Sequence, residues 1–402
     1  MATYKEQNKL NVPHLRFPEF EEEWNIKTLG SLSKGIGDGI HATPIYDDNG
    51  SYYFINGNNL SERGINISEA TKRVSKEEAY KNNAAILNDR TILLSINGTI
   101  GNVALYNNEP IMLGKSACYI NVSSHINKHY VYHYLQTNKC QTYFISELTG
   151  TTIKNLSLQS VRNAKIALPS IYEQNRIAKL LDVIDERIAT QSKLIEDLKK
   201  LKSAFIEKHY CQAEKQVACV ADLGEPFSVG NLAKDDLTES GMPCVIYGEL
   251  FTTYGETISQ IESHTYKTEG MILSKKGDLL FPSSTTVDAM SLVTPSVINM
   301  DGVILGGDMF GIHISPNFNA QYLSYYFNHI AKRQMAKFAK GSTIIHLHYA
   351  DIEKAKLLLP SLEEQNRMAK CFISLDAKIN VENIFFSLLN SQKTYLLRQM
   401  FI

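Results

Sequence analysis

Several short stretches of this sequence carry residue types that do chemistry elsewhere, and each fails on spacing or on its match within the chain. Gly114-Lys115-Ser116 resembles the end of a phosphate-cradling loop, but the glycine needed five residues earlier is Glu109. Gly35-Ile36-Gly37-Asp38-Gly39 is glycine-rich without the spacing of a dinucleotide fingerprint, and it reads as a flexible turn. His346-Leu347-His348 with Asp351 offers metal-ligand types, yet the matching positions of an internal repeat begin Asn155-Leu156-Ser157, which are not ligands. The six cysteines (Cys118, Cys140, Cys211, Cys219, Cys244, Cys371) form no C-x-x-C pair and lie at no zinc spacing from histidine, so they read as reduced cytosolic thiols. There is no Asn-Pro-Pro-aromatic or Asp-Pro-Pro-aromatic segment, no helicase phosphate loop and no Gly-x-Ser-x-Gly elbow. The sequence thus offers no catalytic residue, no metal site and no cofactor site of its own.

What remains is polar loop chemistry of the kind that reads base edges. Asn and Gln bind adenine in bidentate fashion, and Ser and Thr serve as donor or acceptor. The candidate loops are Asn56-Gly57-Asn58-Asn59, Asn97-Gly98-Thr99 and Ser283-Ser284-Thr285-Thr286. Two further loops, Gly150-Thr151-Thr152 and Lys340-Gly341-Ser342-Thr343, combine small hydroxyls with exposed amides that suit phosphate. Each of these stretches also serves as ordinary turn or capping chemistry. The candidates for DNA contact are therefore Asn56, Asn58, Asn59, Asn97, Thr99, Gly150, Thr151, Thr152, Ser283, Ser284, Thr285, Lys340, Gly341, Ser342 and Thr343.

The elements that must position these loops come as a tandem repeat. Leu168-Pro169-Ser170-Ile171-Tyr172-Glu173-Gln174-Asn175-Arg176-Ile177-Ala178-Lys179 recurs 191 residues later as Leu359-Pro360-Ser361-Leu362-Glu363-Glu364-Gln365-Asn366-Arg367-Met368-Ala369-Lys370. Gly150-Thr151-Thr152-Ile153 faces Gly341-Ser342-Thr343-Ile344 at the same offset. Weaker echoes pair Ile55 and Gly57 with Ile246 and Gly248, Asn88-Asp89-Arg90 with Gly277-Asp278-Leu279, and Leu29-Gly30 with Leu223-Gly224.

A long helix follows each repeated motif. Pro169 and Pro360 end extended runs (165–168 and 356–359), Ser170 and Ser361 are N-caps, and Glu173 and Glu364 complete capping boxes. The first helix carries an apolar seam at a mean step of 3.5 residues: Ile177, Leu181, Ile184, Ile188, Ile195, Leu198 and Phe205. The second repeats it with Met368, Phe372, Leu375, Ile379, Phe386, Leu389 and Leu396. Polar residues interrupt both seams at matching places, Gln191 with Glu382 and Lys202 with Lys393. This is the pattern of two helices that pack on each other, with polar positions fixing register. About 40 residues from Ile171 to Tyr210 make a rod of roughly 60 Å.

The rest of each half reads as short strands broken by Asn-Gly and Asp-Gly turns. Strands are expected at 52–55, 91–95, 102–106, 270–273 and 278–281, and helices at 129–141 and 321–340. The fold class is α+β: two α+β globules, each followed by a long helix, with the helices pairing as an antiparallel coiled coil about a pseudo-two-fold axis. The boundaries are 1–168, 169–212, 213–359 and 360–402. Two readers held apart by helices would meet two half-sites on one face of DNA, and unlike globules imply an asymmetric split target.

Composition fits a soluble globular protein, with 44% hydrophobic and 21% charged residues. The first ten residues, MATYKEQNKL, carry no signal-peptide core, and no run approaches the length that spans a bilayer. A net charge of −1 is unusual for a protein that grips DNA alone, so a partner would have to supply phosphate neutralisation.

The combination of duplicated junctions, heptad helices and divergent globules resembles the specificity subunit of type I restriction–modification systems over essentially the whole chain. Val12-Pro13-His14-Leu15-Arg16-Phe17-Pro18-Glu19-Phe20, with Trp24 and Leu29-Gly30, looks like that family's opening of its first target recognition domain. The second globule begins Cys219-Val220-Ala221-Asp222-Leu223-Gly224 without a tryptophan, so its start is loosely defined. The resemblance implies double-stranded DNA and two methylation subunits as partners, the latter using S-adenosylmethionine to methylate adenine. It also implies restriction subunits that use ATP and Mg, with this chain binding no cofactor, performing no catalysis and working in the cytoplasm. Two other readings compete: a coiled-coil scaffold joining two protein-binding domains, and an enzyme whose site escapes motif recognition.

Overall fold

The computed structural model describes residues 11–61, 64–82, 84–150 and 154–402. The chain divides into two compact units, Met1–Lys193 with Ile384–Ile402, and Leu194–Asn383. Both divisions fall inside long helices, Ile171–Gln212 and Leu362–Gln399, so each unit holds one α+β domain and part of each helix. No helix among the described residues is long and apolar enough to cross a membrane.

Neither long helix contains Gly or Pro, and each begins just after the Pro-Ser pair. The Ser170 and Ser361 hydroxyls accept the amides of Glu173 and Glu364, both at 3.3 Å. The expected capping boxes are only half formed. Glu173 turns its carboxylate to Arg16 and Trp24, and Glu364 turns to Arg367, because a charged partner outbids a backbone amide.

Along the first helix Ile177, Leu181, Ile184, Gln191, Ile195 and Lys202 are buried, and Ile188, Leu198 and Phe205 half-buried. Along the second, Met368, Phe372, Ile379, Glu382, Leu389, Lys393 and Leu396 are buried, and Leu375 and Phe386 half-buried. In the first unit the opening turns of the first helix meet the closing turns of the second. Leu181 and Ile184 share a core with Leu396, Leu397, Met400 and Phe401, and Lys393 Nζ lies 2.9 Å from Asp185. Each of those closing residues contributes roughly 1.5–3 kcal/mol by leaving water. In the second unit the ends are exchanged: Phe205 packs on Phe372 at 6.1 Å, and Lys202 Nζ lies 2.6 Å from Asp376. Lys393 and Asp376 stand 191 residues after Lys202 and Asp185, so the two ion pairs are one interaction made twice, as in a self-complementary interface. The helices therefore pair antiparallel.

Each domain hangs from a short antiparallel pair that closes against the long helix. Asn25–Thr28 pairs with Lys165–Leu168, and Gln216–Cys219 pairs with Lys356–Leu359 in the same register at the 191-residue offset. This pairing aligns Leu29 with Val220, whose amides donate to Ala164 and Ala355, and so corrects the Leu29–Leu223 echo. The first domain is built on a four-stranded sheet (33–38, 117–122, 91–95, 103–105) and a three-stranded one (73–74, 52–55, 111–113). The second has two five-stranded sheets centred on Asp278–Pro282 and Met242–Ile246.

Three local expectations change. Gly35–Gly39 is not a turn: strand Ser33–Asp38 runs through it. A Cβ on Gly39 would stand 1.9 Å from the Leu113 carbonyl oxygen, so the glycine permits close strand approach. The helix expected at 129–141 is broken into Lys128–Leu135 and Asn138–Ser146, because the Thr137 hydroxyl caps the second piece at the Cys140 amide. The helix expected at 321–340 divides into Ala320–Tyr325, a π-turn Tyr326–Ile330, Lys332–Met335 and a 3-10 turn Ala336–Phe338.

Candidate nucleic-acid interface

The loops picked out by composition come from distant parts of the sequence, and within each domain backbone pairing brings them together. In the first domain the chain leaving strand Thr91–Ser95 meets the chain arriving at residue 154 onward. Asn97 bridges Asn155, and the Leu156 amide donates to the Ile96 carbonyl at 2.9 Å. Thr149 and Asn155 exchange both backbone bonds, closing a loop that includes Gly150 at φ 91°. Thr151 and Thr152 lie outside the described residues. The Asn56–Asn59 turn abuts the same place, since a Cβ on Gly57 would stand 2.4 Å from Ser95 Oγ and 3.2 Å from the Asn97 carbonyl oxygen.

These candidates differ in what their side chains have left to offer. Asn59 Oδ1 accepts the Asn56 amide at 3.0 Å, and its Nδ2 donates to the Asn66 carbonyl at 3.1 Å. Asn56 Oδ1 accepts the Ser116 hydroxyl at 2.9 Å. Both amides hold the turn shut, while Asn58 between them is exposed. Asn97 is half-buried and Thr99 exposed, the latter 3.4 Å from Ser95 Oγ.

The second domain repeats this junction with different residues. Strands Ser284–Thr285 and Ile345–His346 form a two-stranded ribbon, and the Leu347 amide donates to the Ser283 carbonyl at 2.9 Å. Lys340 and His346 exchange both backbone bonds, as Thr149 and Asn155 do 191 residues earlier. Gly341 sits at φ 117°, and a Cβ there would stand 2.0 Å from the Ile344 carbonyl oxygen, so no other residue fits that turn. Ser342 and Thr343 are exposed, and Ser284 and Thr285 half-buried. Ser283 is 3% exposed and has no face to offer a base. Lys340 is exposed and pairs with Asp351 at 2.5 Å. That pairing, with the His348 amide, holds the Asp351 carboxyl below its ordinary range and occupies the acid a His346–His348 metal site would need.

Pattern reading missed the residues that bolt each domain to its helix. Gln174 donates to the Pro169 carbonyl at 2.9 Å and accepts the Asn127 amide at 3.0 Å, and the Asn127 side chain donates to Asn175 at 2.7 Å. Gln365, Pro360, Asn319 and Asn366 make the same three bonds at 2.9, 2.9 and 2.7 Å. Asn127 and Asn319 also cap the helices that follow them, accepting the amides of Tyr130 and Tyr322. Their shared Asn-x-x-Tyr signal was hidden because the offset here is 192, one residue out of step with the helices. Arg16 was known only as part of an opening stretch. It grips Glu173 with two bonds of 2.7 and 2.8 Å, and Trp24 Nε1 adds a third at 3.2 Å.

Buried charge is balanced locally in both units. Burial opposes ionisation of Asp182, but bonds from His129 and His133 hold its carboxyl down to about 2. Burial likewise opposes Glu256, and His329 with Lys202 holds it down to about 2.

Comparison with known proteins agrees with this architecture. Residues 21–200 and 214–384 each match the type I restriction modification DNA specificity domain. The chain belongs to that family. It is 23% identical to the specificity subunit of the type I restriction enzyme MjaVIII from Methanocaldococcus jannaschii, over 95% of this chain and 92% of that one. Its fold resembles the crystal structure of the type I restriction–modification S subunit from M. genitalium, with TM-score 0.61, 18% identity, and 97% and 99% of the two chains covered. A chain from a structural study of complex assembly and conformational transition in a type I system gives TM-score 0.54 at 14% identity, covering 96% and 98%.

Proposed function

We propose that this chain is the DNA sequence-specificity subunit of a type I restriction–modification complex, reading an asymmetric target in two halves. One observation carries the reading. A duplicated frame presents two converging loops at the same place in each domain, and the residues on those loops differ, Asn97 and Thr99 in one against Ser284 and Thr285 in the other. Equal frames with unequal loops suit two unlike half-sites.

On this reading the chain performs no chemistry. Two methylation subunits would bring S-adenosylmethionine and modify adenine, and restriction subunits would bring ATP, Mg and nuclease activity, all in the cytoplasm. The net charge of −1 supports a divided labour in which base reading lies here and most phosphate neutralisation lies with partners. The test is to co-express the chain with its methylation subunit and map N6-methyladenine in a host lacking other methylases. A single motif of two short defined halves around a fixed spacer is the expected result. A stable complex that marks no such motif would overturn the reading in favour of a protein scaffold.

A further inference from the structure

The converging loops carry mostly polar residues, but two aliphatic side chains stand exposed among them in the second domain. Val287, just past strand Ser284–Thr285, is 74% exposed, and Ile344, just before strand Ile345–His346, is 51% exposed. Thr285 lies opposite Ile345 as the last pair of the ribbon, and Val287 and Ile344 both lie just beyond that pair, at its open end. The end is built rather than loose. Thr285 Oγ1 accepts the Val287 amide at 3.2 Å and the Ser291 hydroxyl at 3.3 Å, and Asp288 caps the next turn at the Ser291 amide, 2.8 Å.

The surroundings point to DNA as the occupant. Four of the nine Lys and Arg residues between 215 and 340 are Lys332, Arg333, Lys337 and Lys340, in an otherwise acidic stretch. The turn Ala289–Leu292 packs on both ribbon strands and on the 3-10 turn Ala336–Phe338, which brings this basic segment to the ribbon's flank. Val287, Thr285 and Lys332 also line a common cavity of about 540 Å3. A two-stranded ribbon enters a major groove, where each A·T pair presents one apolar group, the thymine methyl.

We infer that Val287 and Ile344 read thymine methyl groups in the half-site of the second domain, while the basic segment holds the adjoining phosphates. The inference rests on the function proposed above. Both side chains are β-branched and flanked by hydroxyls, which suits a methyl contact from the major groove; wedges that unstack base steps, Ile among them, enter from the minor groove. In the first domain the repeat sets Ile153 at the position of Ile344, and Ile100, just past Asn97-Gly98-Thr99, is half-buried against the core, so the Val287 contact would be the part particular to the second half-site.

The experiment uses the assembled complex with its methylation subunits and a duplex carrying the mapped target. Each thymine in both halves is replaced in turn by uracil, which removes only the methyl, and affinity is measured by competition. One or more replacements in one half should weaken binding about fourfold, the worth of one buried methyl. That penalty should vanish in Val287→Ser with Ile344→Ser, and Val287→Thr, which keeps one methyl, should fall between. Tolerance of uracil at every position overturns the inference, as does a penalty unchanged in the serine variant. Loss of binding in the serine variant without any uracil effect would mean a wedge instead, and also overturns it. Failure of the unaltered complex to select any split target is a different result, and it removes the proposed function itself.

Discussion

The duplicated Gln174 and Gln365 clamps give the sharpest test of whether the repeated motif is there for packing or for outward contact. Gln174 is 2% exposed, and Gln174→Ala would strand two partners, the Asn127 amide and the Pro169 carbonyl. A buried group left without its bond costs about 1–3 kcal/mol, so the pair should cost about 3 kcal/mol. For a unit of this size that lowers the melting temperature by roughly 6–12 °C. Trp24 is the chain's one tryptophan and is buried in the same unit, so its fluorescence during thermal or urea unfolding reports on this unit. Asn175→Ala is the control. Asn175 is exposed and makes one amide–amide bond at 2.7 Å, so its loss should cost about 0.5 kcal/mol. A Gln174→Ala protein that melts within about 2 °C of the parent, yet binds DNA or its partners less well, would refute the packing account. Gln365→Ala should repeat the loss in the second unit, read as faster hydrogen exchange at the Asn319 and Tyr322 amides.

Other outcomes follow from buried charge. Lys202→Met leaves Asp376 without its cation and should cost about 3 kcal/mol in denaturant unfolding, with part of the loss recovered by adding Asp376→Asn. Arg16→Lys keeps the charge but forfeits the two-pronged grip on Glu173, and should cost about 1–2 kcal/mol by Trp24 fluorescence. Glu256 has an ordinary value of 4.5 and is held at about 2 in the fold, so its stabilisation is complete above pH 4.5 and is lost as pH falls towards 2. The full effect is at most about 3 kcal/mol. Melting temperatures taken from pH 6 to pH 3 should fall less steeply for Glu256→Gln than for the parent, and parallel curves would count against this balance.

Legibility in the sequence tracked how local each signal was. Helix starts at Pro169 and Pro360, the seams and most strands depend on neighbours within a turn or two, and they were readable. The break at Thr137 and the π-turn at Tyr326 answer to packing on the domain core, which no short window contains. Candidate loops were found by composition, but their convergence depends on bridges such as Asn97 to Asn155 that span dozens of residues. The side chains of Asn56 and Asn59, and buried Ser283, resemble free recognition groups in sequence and prove to be structural. Val287 was passed over because an isolated aliphatic residue in a loop carries no pattern, and Ile344 was read only as the end of a repeated stretch whose hydroxyls drew the attention.

The frame and the loops differ in how much freedom their contacts leave. Lys202 meets Asp376 and Lys393 meets Asp185, so each copy of the frame is the other's partner, and a change in one is felt through both. The loops are held differently. Leu156 to Ile96 and Leu347 to Ser283 are backbone bonds, indifferent to the side chains the loops carry. Frame and loops should then separate cleanly. Grafting new residues at 284, 286, 287 and 342–344, with Ser283, Thr285, Gly341 and Leu347 kept, should move the mapped half-site of the second domain. It should leave the first half-site, the spacer and the melting temperature as they were. A graft that shifted the first half-site as well would show that the loops are coupled through the frame, and the backbone account of their independence would fail.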